Sequence, residues 1–144
     1  MHGAPVAVRT PFAVAHGAHR LHGSTWGRTA ATVPRLLSLH GGGAATDHRR
    51  VEYLLQPLAA HGWAGAAFDC VGHGTTGGSL QGSSLADRQA QALAVAAHLG
   101  LGAACPPLAL MASSMGGHTA CQLLDALQPL VAQGWLSIGA GSDA

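Results

Sequence analysis

Residues 108–124 read LALMASSMGGHTACQLL. An apolar run meets two adjacent serines and a glycine pair, and apolar residues then return at helical spacing. That is the pattern of a buried strand turning sharply into a helix. A serine at such a turn projects its hydroxyl above the sheet only when the positions two before and two after it are small. Centring small-x-Ser-x-Gly on Ser114 puts Ala112 and Gly116 at those positions, and Gly117 adds clearance. Centring it on Ser113 puts Met111 and Met115 there, and the pattern fails. Ser114 is therefore the candidate nucleophile. The competing reading is that Ser113 or Ser114 merely caps the helix, a common use of serine. The helix also turns its N-terminal N–H groups toward this point, which favours developing negative charge.

The same strand–loop–helix unit repeats upstream. RLLSLH (35–40) reads as a short buried strand, GGGAAT (41–46) as a loop, and DHRRVEYLLQPLAAHG (47–62) as a helix. Val51, Leu54, Leu55 and Leu58 share one face of that helix, which Pro57 is expected to kink. Thr46 or Asp47 can cap its start, and Gly62 can close its end. WAGAAFDC (63–70) is a strand, VGHGTTGGSLQGS (71–83) a glycine-rich loop, and SLADRQAQALAVAAHLG (84–100) a helix. Ser84 is its expected cap and Gly100 its stop. PLALMA (107–112) is the next strand, SSMGG (113–117) its turn, and HTACQLLDALQPLVAQG (118–134) its helix, with WLSIGA (135–140) beginning another strand. Uniformly apolar strands alternating with helices predict an α/β fold, a mostly parallel sheet with helices on both faces. Right-handed crossovers then gather the loops at the strand C-termini along one edge. Residues 1–34 read as short strand-like pieces broken by Gly and Pro, in which RLHGSTWG (20–27) could form one arm of a hairpin.

Composition narrows the function classes. The chain has 144 residues, enough for one domain that buries roughly two-thirds of its unfolded surface. Hydrophobic residues make up 48% and charged ones 9%, which argues against global disorder. All seven basic residues are Arg, against six acidic ones, and aromatics are 4%. No nucleic-acid partner is expected from so little positive charge and so few stacking groups. No apolar run reaches the roughly 18 residues of a membrane span, so no membrane partner is expected. The N-terminus, interrupted by Arg9 and two prolines, lacks the apolar core of a signal peptide. Cys70, Cys105 and Cys121 are odd in number and widely spaced, fitting neither a disulfide framework nor a metal site, and a cytoplasmic, reducing setting is the expectation.

Two other motifs invite chemistry. Gly72, Gly74 and Gly77 make a literal GxGxxG, but more glycine separates them from the next helix, and the nearest downstream acid, Asp87, comes too early for a dinucleotide site. His16, His19 and His22 are the closest histidines, without helical spacing or an acidic or Cys companion. No cofactor and no metal are expected. LHGGGAA (39–45), directly after the first clear parallel strand, is different. Its glycines let backbone N–H groups approach a substrate oxygen and form half of an oxyanion hole, with the Met115 N–H supplying the other half.

LLSLHGGG, AFDCVGHGTTGGSLQGSSLADRQAQALAVAAHL and LALMASSMGGHTA, in that order and spacing, resemble the front half of an α/β-hydrolase. They are most similar to bacterial serine hydrolases of the serine aminopeptidase or dienelactone-hydrolase-like type, over about residues 35–133. The resemblance implies a serine hydrolase that acts on ester, amide or related acyl bonds, with small-molecule ester, amide or peptide-like substrates. It implies Ser114 as nucleophile, Met115 and Gly42 as oxyanion-hole N–H donors, and His40 and Gly41 as residues shaping that loop. Asp69, Gly72, His73 and Gly74 match a loop that shapes the site wall, without a catalytic role for Asp69 or His73. The expected domain is a single partial one over 1–144, with irregular short strands in 1–34 and a βαβαβαβ core in 35–144, ending after the strand that follows the nucleophile helix.

The family order places an acid and then a histidine after the nucleophile. After Ser114 the only acids are Asp125, inside the helix, and Asp143, and the only histidine is His118, four residues along the same helix. The expectation is an incomplete, poorly active form: a truncated gene product, a domain completed by another chain, or a degenerate relative. A non-catalytic binding or partner module is the alternative function.

Overall fold

The computed structural model describes residues 8–27, 33–41, 47–79 and 83–129. Elements run β1 (Arg9–His16), β2 (His19–Trp26), β3 (Leu36–Leu39), a 3-10 turn (His48–Val51), α1 (Glu52–Ala60), β4 (Gly65–Phe68), α2 (Leu85–His98), β5 (Ala109–Ala112) and α3 (Met115–Leu127). One five-stranded sheet has the order β1-β2-β4-β3-β5. Strands β4, β3 and β5 are parallel, and the hairpin β1–β2 joins them antiparallel through β2 and β4. The expected α/β architecture is present, with this hairpin extending one side of the sheet.

Alternation along the strands divides the core between two faces. Leu37 and Leu39 of β3 and Ala66 and Phe68 of β4 pack with Ala92, Val95 and Ala96 of α2 and Ala120, Leu123 and Leu127 of α3. Leu36 and Ala67, one residue out of phase, pack with Trp26 and with Leu55 of α1 on the other face. Helices therefore cover both sides. Strands β3 and β4 are buried along their whole length, as inner parallel strands must be, while β5, the last strand in the sheet order, is half-buried.

Local chemistry explains the helix limits. Ser84 caps α2 by accepting from Asp87 N–H while the Asp87 carboxylate accepts from Ser84 N–H, a reciprocal capping box. Gly100, at φ +83°, ends that helix as expected. The helix expected over 47–62 is divided, because Asp47 caps a 3-10 turn that feeds α1. Pro57 lies inside α1, and Tyr53, whose carbonyl loses its partner, is exposed to water. Leu55 is fully buried but Leu54 is 40% exposed, so Leu54 does not share the packed face. The strand expected at 135–140, and Thr46 as an alternative cap, lie outside the described residues.

The largest departure concerns SSMGG. It is not a separate turn, since α3 begins at Met115 and takes both glycines into its first turn. At its other end α3 stops at Leu127, with Gln128 left-handed at φ +45° just before Pro129, which cannot continue a helix. No helix among the described residues is long and apolar enough to cross a membrane.

Candidate active site

Ser114 links the end of β5 directly to α3, with φ +50° and ψ −120°. A non-glycine residue pays about 1–3 kcal/mol for such a backbone, which persists only where its surroundings enforce it. The surroundings are backbone. Ser113 N–H donates to Leu39 O, Gly116 N–H to Ser113 O, and Gly117 N–H to Ser114 O. The Ser114 side chain makes no capping bond to the helix it precedes, and Ser114 is exposed. The capping alternative therefore fails for Ser114. Ser114 stands just past the C-terminal end of β5 and just before α3.

The flanking small residues have specific reasons to be small. A Cβ built on Gly116 would collide with Leu39 O and lie 2.7 Å from His40 O. Both are backbone carbonyls, one ending β3 and one just past it, so they cannot retreat without disturbing the sheet. A Cβ on Gly41 would lie 3.0 Å from Ser114 Cβ and 3.2 Å from Ser113 O. Gly41, just past β3, thus lies against the serine turn. Gly116→Ala is expected to cost about 1–3 kcal/mol, as overpacking against fixed atoms does. A urea midpoint equal to that of the wild type would show that this contact is relaxed.

Met115 is the first residue of α3, so its N–H is among the helix donors that lack an intrahelical acceptor. Its side chain is 42% exposed. Gly42, the other expected oxyanion donor, lies outside the described residues. So does Asp143.

His40 is held at both ring nitrogens. Cys70 N–H donates to Nε2 at 3.0 Å, so that nitrogen carries no proton. The proton is on Nδ1, which donates to Gly41 O at 2.5 Å. Burial pushes the His40 pKa down from 6.5 to about 4, and the nearby Arg88 and His73 push the same way against the opposing Gly41 bond. His40 is therefore a neutral post for the loop after β3.

Arg88 of α2 is a residue that the sequence reading passed over. It is buried, its Nη2 donates to His40 O at 2.5 Å, and its Nη1 reaches Met115 Sδ. Its position was readable, since Arg88 shares the helix face of Gln91, Ala92 and Val95, which are buried with it.

A buried Ser–His–Asp chain also exists, away from the serine turn. His48 Nδ1 lies 2.7 Å from Asp69 Oδ2, and His48 Nε2 lies 2.8 Å from Ser24 Oγ. Arg9 donates to the same Ser24 oxygen at 2.9 Å. Asp69 also accepts from Thr75 Oγ1 at 2.6 Å and from Thr75 N–H at 3.2 Å. Ser24 is 0% and Asp69 1% exposed, so this chain is a strut that ties β2, the 3-10 turn and β4 together. The GxGxxG loop serves it. Gly74 presses on Asp69, and Gly72, His73 and Gly77 direct their N–H groups into bonds within the loop and to Cys70. Among the described residues no group of three or more His, Cys, Asp or Glu could hold a metal ion.

These groups set a pH response. Burial raises the Asp69 pKa, but bonds from His48 and Thr75 outweigh it and hold the carboxyl below its ordinary 3.8. Both His40 and Asp69 have lowered folded values, so the unfolded chain binds more protons and stability is lost as pH falls. His40 contributes this loss between about pH 6.5 and 4, and Asp69 below the ordinary carboxylate value. Urea midpoints measured from neutral pH to pH 4 are expected to fall steadily. A flat profile would contradict the buried neutral His40.

A family model described as serine aminopeptidase, S33, matches residues 32–141. Comparison with curated proteins finds no match. Among solved structures, the thioesterase domain from the curacin biosynthetic pathway is similar at 24% identity and TM-score 0.67, over 81% of this chain and 39% of that one. The 2-hydroxy-6-oxo-6-phenylhexa-2,4-dienoate hydrolase of Rhodococcus sp. strain RHA1 is similar at 20% identity and TM-score 0.64, over 82% and 42%. Est1E from Butyrivibrio proteoclasticus, solved with ferulic acid bound, is similar at 18% identity and TM-score 0.59, over 75% and 44%. The chain thus spans about two-fifths of the length of these structures.

Proposed function

We propose that this chain, which belongs to the serine aminopeptidase S33 family of α/β-hydrolases, carries the nucleophile half of an acyl-transfer site. The substrate class is a small-molecule ester, amide or peptide-like acyl compound. Ser114 Oγ attacks the acyl carbon, and the N–H groups of Met115 and Gly42 stabilise the oxyanion that forms. His40, Gly41 and Gly116 hold the two walls of the turn together. The observation that carries this reading is the Ser114 backbone, forced to φ +50° with its side chain unused as a cap.

The base and its orienting acid are proposed to come from beyond this chain, either from further sequence of the same protein or from a completing second chain. His40 has both ring nitrogens engaged, and His48 is held between Ser24 and Asp69. His118 and Asp125 are exposed on α3 itself. Turnover by this chain alone is therefore expected to be slight. A reducing, cytoplasmic setting is proposed from the odd number and wide spacing of the three cysteines.

The test is covalent labelling with a serine-directed fluorophosphonate, followed by peptide mapping. An adduct at Ser114 supports the acyl-transfer reading. A folded chain that takes no label leaves the second reading, a non-catalytic binding or partner module, which the engaged histidines would suit.

A further inference from the structure

Arg88 is a buried cation without an anion. It is 5% exposed, and among the described residues no carboxylate lies within ion-pair distance of it. Its guanidinium meets a carbonyl, His40 O, a thioether, Met115 Sδ, and the Cys70 thiol, while Nε has no partner among the described residues. An arginine cannot shed its proton to escape such a place. Taking a full charge out of water costs several kcal/mol, which one carbonyl and two weakly accepting sulfurs offset poorly. A neutral amide could tie α2 to the end of β3 at lower cost, so the charge itself calls for an explanation.

Its location supplies one. His40 O closes β3, immediately before the loop expected to furnish one oxyanion donor. Met115 follows Ser114 and furnishes the other. One guanidinium therefore touches both walls of the place where negative charge would develop.

We propose that Arg88 is the positioning residue of this site, fixing the distance between the loop after β3 and the start of α3 and biasing the space beside Ser114 toward an anionic tetrahedral adduct. The inference rests on Ser114 being the nucleophile. Low dielectric around a buried group lets its field act over the few ångströms to the neighbouring residue. The same field falls on His40, whose Nδ1 is 3.3 Å from Nη2. The other groups that face His40 are His73, with ring centroids 4.5 Å apart, Asp69, and the Cys70 N–H.

The experiment compares wild type, Arg88→Gln and Arg88→Lys as purified folded chains, with a neutral alkyl fluorophosphonate as probe. Phosphonylation forms the Ser114 O–P bond, breaks P–F, and releases fluoride and the hydroxyl proton to solvent. The rate is followed by intact mass across the neutral to alkaline range, with Ser114→Ala as control. Arg88→Gln is expected to label about tenfold more slowly at neutral pH, with its rate–pH curve displaced to higher pH. Arg88→Lys keeps the charge but not the fork, so its curve should stay in place while its rate falls several-fold. The His40 titration, read from imidazole nitrogen shifts by NMR, should move up in Arg88→Gln and not in Arg88→Lys. Loss of packing alone would slow labelling without displacing either titration.

A labelled wild type whose rate–pH curve is unchanged in Arg88→Gln overturns the role of Arg88 and leaves the nucleophile standing. An unlabelled wild type overturns the nucleophile, and this role with it. If Arg88→Gln does not fold, Arg88→Lys decides: a reduced rate on an undisplaced curve supports the role, and a wild-type rate overturns it.

Discussion

A fluorophosphonate incubated with the folded chain is expected to add one equivalent to Ser114 over hours, and Ser114→Ala to take up none. The slowness follows from the proposal that the base and its orienting acid come from beyond this chain. Where a triad is complete, removing any member leaves only about 10³–10⁴-fold of catalysis over water, from the oxyanion hole and binding. This chain is expected to sit in that residual regime, with its hydroxyl projected and the first N–H of α3 at hand. A covalent probe needs one event and no deacylation, so it detects a site that an ester assay would miss. On that proposal the rate should rise with hydroxide concentration, and added imidazole should accelerate labelling by acting as the base. Label that persists in Ser114→Ala would refute the assignment, because the adduct would then reside on another nucleophile.

The strands and helices that frame this turn were legible for local reasons. LLSL and GAAF are apolar on both faces, which only a doubly covered strand tolerates. Ser84 with Asp87, and Gly100, announced both ends of α2. The serine turn itself was legible because close backbone approach at Gly116 requires a residue with no Cβ. The hairpin was harder to read. Pro11 argues against a strand until β1 is seen to be the sheet edge, where a missing donor is harmless. Gly23 likewise breaks the pattern of β2, yet it makes room for Phe12 and for Ala67 O. Which distant residues meet left no local trace, even where the helix face of Arg88 was readable. His48 meets Asp69 across 21 positions, and Arg88 meets His40 across 48. An arginine in a polar-looking helix reads as solvated until the residues three, four and seven positions on are seen to be buried with it.

Asp69→Ala is expected to be the most damaging single change to the fold, at about 3–5 kcal/mol, because buried donors are left without an acceptor and a void opens where the carboxylate stood. The carboxylate is 1% exposed and receives His48 Nδ1, Thr75 Oγ1 and Thr75 N–H. Its removal orphans all three and opens a void beneath Gly74, whose backbone rests on that side chain. The damage would spread along the chain of bonds, because His48 also holds Ser24, and Ser24 anchors Arg9 of β1. A domain of this size has roughly 5–15 kcal/mol in total, so the variant should unfold at much lower urea. Asp69→Asn keeps the volume and one acceptor oxygen, and should lose less. Because the Asp69 carboxylate bonds to His48 and Thr75 and not to His40 or Ser114, the fraction of Asp69→Asn that remains folded should still label at Ser114. A folded Asp69→Asn that failed to label would instead tie Asp69 to the chemistry, which neither its burial nor its partners support.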